Sequence, residues 1–165
     1  MLILILKWLL IVLVVVVLGT LGAGQAGLFQ STAPSDLGVR DGKLKPPSNT
    51  DNSVTSQAAL YPNHPQHRYS DIAPLPLRGD GPATIAKIKQ VVGAMDGAKI
   101  VKSEPDYLYA QYTSRLMKFA DDVEFWYDPA ARVIQVRSAS RVGKGDMGVN
   151  RKRIDAVRAA LAAAP

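Results

Sequence analysis

The sequence has 165 residues, of which 47% are hydrophobic and 21% are charged, and it contains no cysteine. This length corresponds to one domain. The lack of cysteine excludes a disulfide framework, a thiolate metal site, a cysteine nucleophile and a lipid-modified cysteine anchor. The net charge of +6 is local, because segment 137–153 alone carries +5 and, without it and Lys7, thirteen basic residues balance thirteen acidic ones. The excess of basic over acidic residues is therefore no argument for nucleic-acid binding.

Residues 1–28 are predicted to form a transmembrane signal anchor. Residues 1–21 contain a single charged side chain, Lys7, and an unbroken apolar run from Trp8 to Leu18. About 20 apolar residues span the hydrocarbon core of a bilayer. The alternative is a cleaved signal peptide, for which Gly24-Gln25-Ala26 offers a site of small residues.

The distribution of charge around this segment predicts its orientation. Lys7 and the amino group precede the span, and no charged residue follows it before Asp36. Basic residues close to a span tend to stay in the cytoplasm. In a Gram-negative bacterium this gives a single-pass inner-membrane protein whose C-terminal domain lies in the periplasm.

Residues 29–81 are predicted to form a proline-rich extended arm. Eight of the eleven prolines fall between Ser31 and Pro82, among many Ser, Thr, Asn and Asp residues. Such a composition is typical of a linker or a wrapping arm, with disorder as the alternative. Segment 72–77, Ile-Ala-Pro-Leu-Pro-Leu, is apolar enough to dock on a domain.

Residues 82–165 are predicted to form an α+β globular domain. Apolar residues at helical spacing predict a helix over 83–95, and segment 151–163 predicts a second helix with Asn150 as its N-cap. Alternating patterns predict strands at 98–103, 107–114, 123–127 and 132–137. The expected fold is a small antiparallel sheet of about four strands that is packed by two helices.

The last two predicted strands bring charged residues together. A register in which Tyr127 faces Arg132 also places Val123 opposite Val136 and Asp122 opposite Arg137. Asp122, Glu124 and Arg137 then leave the sheet on the face away from the apolar side. Together with Asp121, the two acidic residues form a group of paired carboxylates.

The basic segment that follows is the predicted binding surface. Basic residues in the first turn of a helix are unfavourable, because the helix N-terminus is itself partly positive. They require an anion, which is either an internal carboxylate, a bound phosphate or carboxylate ligand, or an acidic partner. The predicted anion- or partner-binding residues are Arg137, Ser138, Ser140, Arg141, Asn150, Arg151 and Arg153.

The stretch SRLMKFADDVEF, followed by RSASRVGKGDMGVNRKRID, resembles the signature of a widespread uncharacterised family of bacterial and plastid proteins, known only as a domain of unknown function. The resemblance extends upstream through the arm and covers about residues 36–162. Family members often carry a cysteine pair at positions similar to Pro47 and Ser53, and this chain lacks it. The resemblance implies an exported, often membrane-attached domain and implies no activity.

The sequence offers little catalytic chemistry. His64 and His67 lack the further ligands that a metal site requires, and Ser138 and Ser140 lack a neighbouring base. We therefore expect no cofactor, no metal and no nucleic-acid partner.

The leading expectation for function is a non-catalytic accessory or assembly subunit of a larger membrane complex, for example a respiratory one. One alternative is a periplasmic module that binds an anionic envelope ligand, such as a lipid headgroup or a cell-wall fragment. The other is an envelope enzyme that uses Asp121, Asp122 or Glu124 as acid or base.

Overall fold

A computed structural model describes residues 1–163, and it begins with a long apolar helix. This helix, α1, runs from Leu2 to Gln25. Its most apolar 18-residue window has a mean hydropathy of 3.1 and buries none of its residues in the rest of the protein. A helix that is apolar on all sides requires an apolar environment. α1 therefore fits a single-pass membrane anchor or a signal sequence.

The globular part is built on a five-stranded antiparallel sheet with the strand order β1-β5-β4-β3-β2. The strands are β1 (Ser53–Thr55), β2 (Ala98–Ser103), β3 (Tyr107–Thr113), β4 (Ala120–Asp128) and β5 (Val133–Ser140). The predicted α+β class is confirmed. The additional strand, β1, comes from the arm and pairs with β5. At three residues, β1 is too short to show the alternation by which a strand is recognised in a sequence.

Two helices cover one face of the sheet. α3 spans Gly81–Gly93 and α4 spans Val149–Ala163, while a single turn, α2, occupies His67–Ser70. The side chain of Asp80 accepts a hydrogen bond from the Ala83 amide and so caps α3. Fully buried side chains from α3, α4 and the sheet form the main core: Ile88, Val92, Leu108, Phe125, Val136, Ile154 and Val157. Residues 164 and 165 of the predicted domain lie outside the described part of the chain.

The arm is an integral layer of the domain. Ile72 and Leu75 lie in the main core, as predicted for segment 72–77, and Leu75 pairs with Ile134. On the opposite face of the sheet, Leu44 packs against aromatic side chains of β3 and β4. Both faces of the sheet are therefore covered, one by helices and the other by the arm.

The predicted register of the last hairpin is wrong by two residues. Tyr127 pairs with Ile134 and Asp128 pairs with Val133. The turn explains the difference, because Arg132 takes a positive φ of 55° and the Asp128 carboxylate accepts hydrogen bonds from the turn amides of Ala130 and Ala131. A shift of two residues preserves the face on which each side chain lies, so the predicted faces are correct.

Candidate functional site

The sheet divides the predicted binding residues into two groups. Side chains alternate between the two faces of a strand. Asp122 and Glu124 of β4 and Arg137 of β5 lie on the face that the arm covers, whereas Asp121 and Ser138 lie on the face that the helices cover. The predicted residues therefore do not converge on one site.

The helix-side group is a closed hydrogen-bond network around Arg153. The Arg153 guanidinium lies 2.5 Å from Asp121 Oδ2 and also donates to Asn150 Oδ1 (2.7 Å) and Ser138 Oγ (3.0 Å). The central carbon of the guanidinium, Cζ, lies 4.6 Å from the centroid of the Tyr112 ring, in a cation–π contact. The positive charge of Arg153 is thus compensated by an internal carboxylate.

Asn150 connects this network to the arm. Its side-chain amide is buried and donates to the Asn52 carbonyl (3.1 Å) and to Ser140 Oγ (3.0 Å), while its carbonyl oxygen accepts from Ser138 Oγ (2.6 Å). Three chain segments, the arm, β5 and α4, meet at this one side chain. Asn150 is a packing and hydrogen-bonding centre rather than an exposed ligand contact.

The prediction that Asn150 caps α4 is wrong. α4 already begins at Val149, and Asp146 accepts hydrogen bonds from the amides of Gly148 and Asn150. Burial alone would raise the pKa of Asp146, but the hydrogen bonds from Tyr69 and these two amides outweigh it and lower the pKa. Asp146 is thus the carboxylate that caps the N-terminus of α4, while Arg153 of the first turn pairs with Asp121.

The arm-side group contains two pairs of oppositely charged side chains, and only one of the pairs is hydrogen-bonded. Arg141 contacts both oxygens of Asp122, at 2.7 to 3.1 Å, and Tyr109 donates to the same carboxylate at 2.6 Å. Arg137, by contrast, lies 3.8 Å from Glu124 Oε2, beyond hydrogen-bonding distance. The predicted pairing of Asp122 with Arg137 is wrong, because the observed register places Glu124 opposite Arg137.

Glu124 is the most deeply buried of these carboxylates. Its side chain is 0% exposed, and its Oε1 accepts hydrogen bonds from Tyr107 and from the Gly38 amide, each 2.7 Å long. Its Oε2 has no hydrogen-bond partner in residues 1–163. Burial raises the pKa of Glu124, and the hydrogen bonds from Tyr107 and Gly38 only partly oppose this effect.

Arg151 lies apart from both groups. Its guanidinium donates to the Tyr69 carbonyl at 2.6 Å and so joins α4 to α2. Its predicted role in a shared anion site is therefore not supported by its position.

An open cleft of about 750 Å³ lies where α3 ends, β3 ends and α4 begins. Arg115, Lys118 and Arg153 contribute positive charge to it, Asp96 contributes a negative charge, and Tyr112 and Val149 are among its apolar lining residues. Of these cations, sequence reasoning identified only Arg153 as a site residue. With Tyr107, Tyr109 and Tyr112, the sequence offers Arg115 and Lys118 only as a weak nucleic-acid pattern, because they lie in a loop between strands where no periodic pattern assigns them to a site.

The C-terminal end of α1 is fixed to the loop that forms one wall of this cleft. The Gln25 side chain donates to the Leu116 carbonyl at 2.9 Å, and the rings of Phe29 and Phe119 stack with their centroids 5.2 Å apart. A Cβ atom at Gly24 would lie only 2.6 Å from the Met117 carbonyl oxygen, so only glycine permits this approach. The cleft is therefore held beside the end of the apolar helix.

The arrangement has limited catalytic capacity. Asp121 and Asp122 are each engaged by an arginine at 2.7 Å or less, and Glu124 is enclosed. Among residues 1–163, no group of three or more His, Asp or Glu side chains is placed to hold a metal ion. The contacts of these carboxylates join β4 to α4 and to the arm.

Comparison with known proteins identifies a family for this chain. No curated protein and no solved structure matches the chain. A family model described as "protein of unknown function (DUF1499)" matches residues 43–161, which include the arm from Lys43 onward, the whole sheet and most of α4. The chain therefore belongs to the DUF1499 family of proteins of unknown function.

Proposed function

We propose that this protein is a non-catalytic accessory or assembly subunit of a larger complex in the bacterial inner membrane. In this proposal α1 is a retained anchor and the DUF1499 domain lies in the periplasm. The observation that carries the proposal is the attachment of α1 to one wall of the open cleft. Because α1 is attached to the domain, the domain would keep one orientation and one distance relative to the membrane. It would then present the same surface to a membrane-embedded partner.

The carboxylates support a non-catalytic role. A general acid or base has to reach its substrate within hydrogen-bonding distance. Asp121 and Asp122 are held by Arg153 and Arg141, and Glu124 is covered by the arm. None of the three is available to a substrate without rearrangement of the domain.

Exposed apolar side chains near the C-terminal end of α1 support the proposal of a membrane-protein partner. Leu28 and Leu116 are 73% and 66% exposed, and Val149, which lines the cleft, is 45% exposed. Exposed apolar side chains that cluster are typical of interaction sites. Here they adjoin a helix that itself requires a membrane environment, so one membrane protein can cover both.

Site-specific substitution combined with purification in a mild detergent tests the proposal. We expect the wild-type protein to co-purify with a stoichiometric membrane protein, and Leu116→Asp to lose that partner because a charge is placed in the interface. Val101→Asp is the matched control, since Val101 is an exposed valine on the edge strand β2. Recovery of a wild-type monomer, or equal behaviour of the two variants, would contradict the proposal.

A second candidate function is the binding of an anionic lipid headgroup in the cleft. Arg115 and Lys118 line the cleft and belong to the loop that holds α1. A retained α1 would therefore bring them close to the membrane surface. A basic side chain close to an anionic membrane contributes about 1 kcal/mol of attraction. Arg153 adds less, because its charge is already compensated by Asp121.

Native mass spectrometry of the full chain, purified with its lipids, tests this candidate. We expect the wild type to retain phosphatidylglycerol in preference to phosphatidylethanolamine, and the double variant Arg115→Gln/Lys118→Gln to lose most of that preference. The double variant Lys89→Gln/Lys99→Gln removes two exposed lysines from other surfaces and serves as the control. An unchanged lipid preference in the Arg115/Lys118 variant would rule out this use of the cleft.

A further inference from the structure

Another, smaller pocket of about 190 Å³ lies between the arm and the C-terminal end of β5. Three cationic side chains line it, Lys45 from the arm and Arg137 and Arg141 from the sheet, together with Asp122. Pro34, Pro46 and Pro47 of the arm form its other walls. It lies on the arm side of the sheet and is separate from the cleft beside α1.

Arg137 is the unusual member of this pocket. Its side chain is only 4% exposed, and a guanidinium carries five N–H donors. Its Nε donates to the Pro46 carbonyl at 3.3 Å, while its two terminal nitrogens make no hydrogen bond to any residue from 1 to 163. A buried charged donor without an acceptor is costly. The two terminal nitrogens are not fully enclosed, however, so they face the pocket and can donate to water or to an anion bound there.

The other charges around the pocket are already matched. Lys45 pairs with Asp36 at 2.6 Å, and Arg141 pairs with Asp122 at 2.7 Å. Glu124 lies opposite Arg137 in the sheet, and its Oε2 remains 3.8 Å away without a hydrogen bond. Arg137 thus has a weak internal counterion and an accessible pocket in front of it.

We propose that this pocket binds a small oxyanion of the phosphate or sulfate type. The two terminal nitrogens of Arg137 would donate to two of its oxygens, a bidentate geometry for which arginine is well suited. Lys45 and Arg141 flank the bound anion and attract it at longer range. The proline walls restrict the pocket to a free ion or to a terminal phosphoryl group. The site does not depend on the accessory role proposed above.

Isothermal titration of the full-length protein in detergent, at constant ionic strength, tests the site. We expect inorganic phosphate and sulfate to bind at one site per chain and chloride to give no comparable heat. Glycerol 3-phosphate serves as a probe for a terminal phosphoryl group, and its binding in competition with phosphate would assign the site to phosphoryl ligands rather than to free ions alone.

Two variants locate the site. Arg137→Gln is expected to abolish phosphate binding. Since this change can also unfold the domain, Lys45→Met at the half-buried rim provides an independent measurement. We expect it to weaken phosphate binding roughly tenfold, because it removes a cation from the pocket and leaves the Asp36 carboxylate without its partner. Lys43→Met, an exposed lysine two positions away, is the control and should bind like the wild type. Absence of phosphate binding to the wild type, or equal affinities of the Lys45 and Lys43 variants, would overturn the proposal.

Discussion

Replacement of Asn150 by alanine is expected to lower the free energy of unfolding by about 3–5 kcal/mol. The change removes two donors and one acceptor from the buried network, and it leaves the Asn52 carbonyl, Ser138 and Arg153 with missing partners. Each unsatisfied buried group costs about 1–3 kcal/mol. Urea denaturation of the full-length protein in detergent, followed by circular dichroism, measures the loss.

Lys152→Ala is the matched control for this measurement. Lys152 lies in the same turn of α4 with an exposed side chain. Its replacement should change the free energy of unfolding by no more than about 0.5 kcal/mol. If the two variants are equally stable, the network around Asn150 contributes little to the fold and the interpretation of this side chain as a packing centre is wrong.

Replacement of Glu124 by glutamine is expected to change the pH dependence of stability. An unperturbed glutamate titrates near pH 4.3, and burial raises the pKa of Glu124 in the folded protein. As the pH rises from about 4.3 to the folded-state pKa, the unfolded chain loses this proton first, so the wild type is progressively destabilised. Glutamine at position 124 cannot ionise, so the variant does not lose stability in this way as the pH rises.

The quantity to measure is the difference between the variant and the wild type in free energy of unfolding, from urea titrations between pH 4.5 and 8. We expect this difference to move in favour of the variant as the pH rises, by at most about 1.4 kcal/mol per pH unit. Groups with a lowered pKa, such as Asp36 and Asp146, act in the opposite direction but are common to both proteins and cancel.

Glu104→Gln serves as the control for the charge change itself. Glu104 is a surface residue whose side chain is 46% exposed and pairs with Lys102. The Glu124 variant should show the steeper dependence of the two. A difference that stays constant across the pH range for Glu124→Gln would show that burial does not shift the titration of this carboxylate.

The sequence predicts the helices and the hairpins of this domain because each depends on a local pattern. Apolar spacing located α3 and α4, and alternation located β2 to β5. The register of the last hairpin was missed because it depends on one backbone torsion, the positive φ of Arg132, which the residue type does not indicate. β1 was missed because the strand with which it pairs, β5, lies more than eighty residues away along the chain.

The sequence points to individual charged residues of the candidate site but not to their arrangement in space. The structure pairs Asp121, Asp122 and Glu124 with Arg153, Arg141 and Arg137, three of the basic residues that the sequence analysis singled out. Their separation onto two faces follows from the alternation of side chains along a strand. Their burial depends on the arm, which covers one face of the sheet. The cleft is formed by three elements that are distant in sequence, so no single motif indicates it.

The contact between Gly24 and Met117 has a consequence for processing of the chain. The candidate cleavage site Gly24-Gln25-Ala26 forms the end of a helix and is packed against a loop that lies about ninety residues further along the chain. Proteolysis of such a segment requires that it first open. This packing forms only when the loop between β3 and β4 has folded, so it is absent while the chain is being made. A peptidase that acted at this site would therefore have to compete with folding of the sheet.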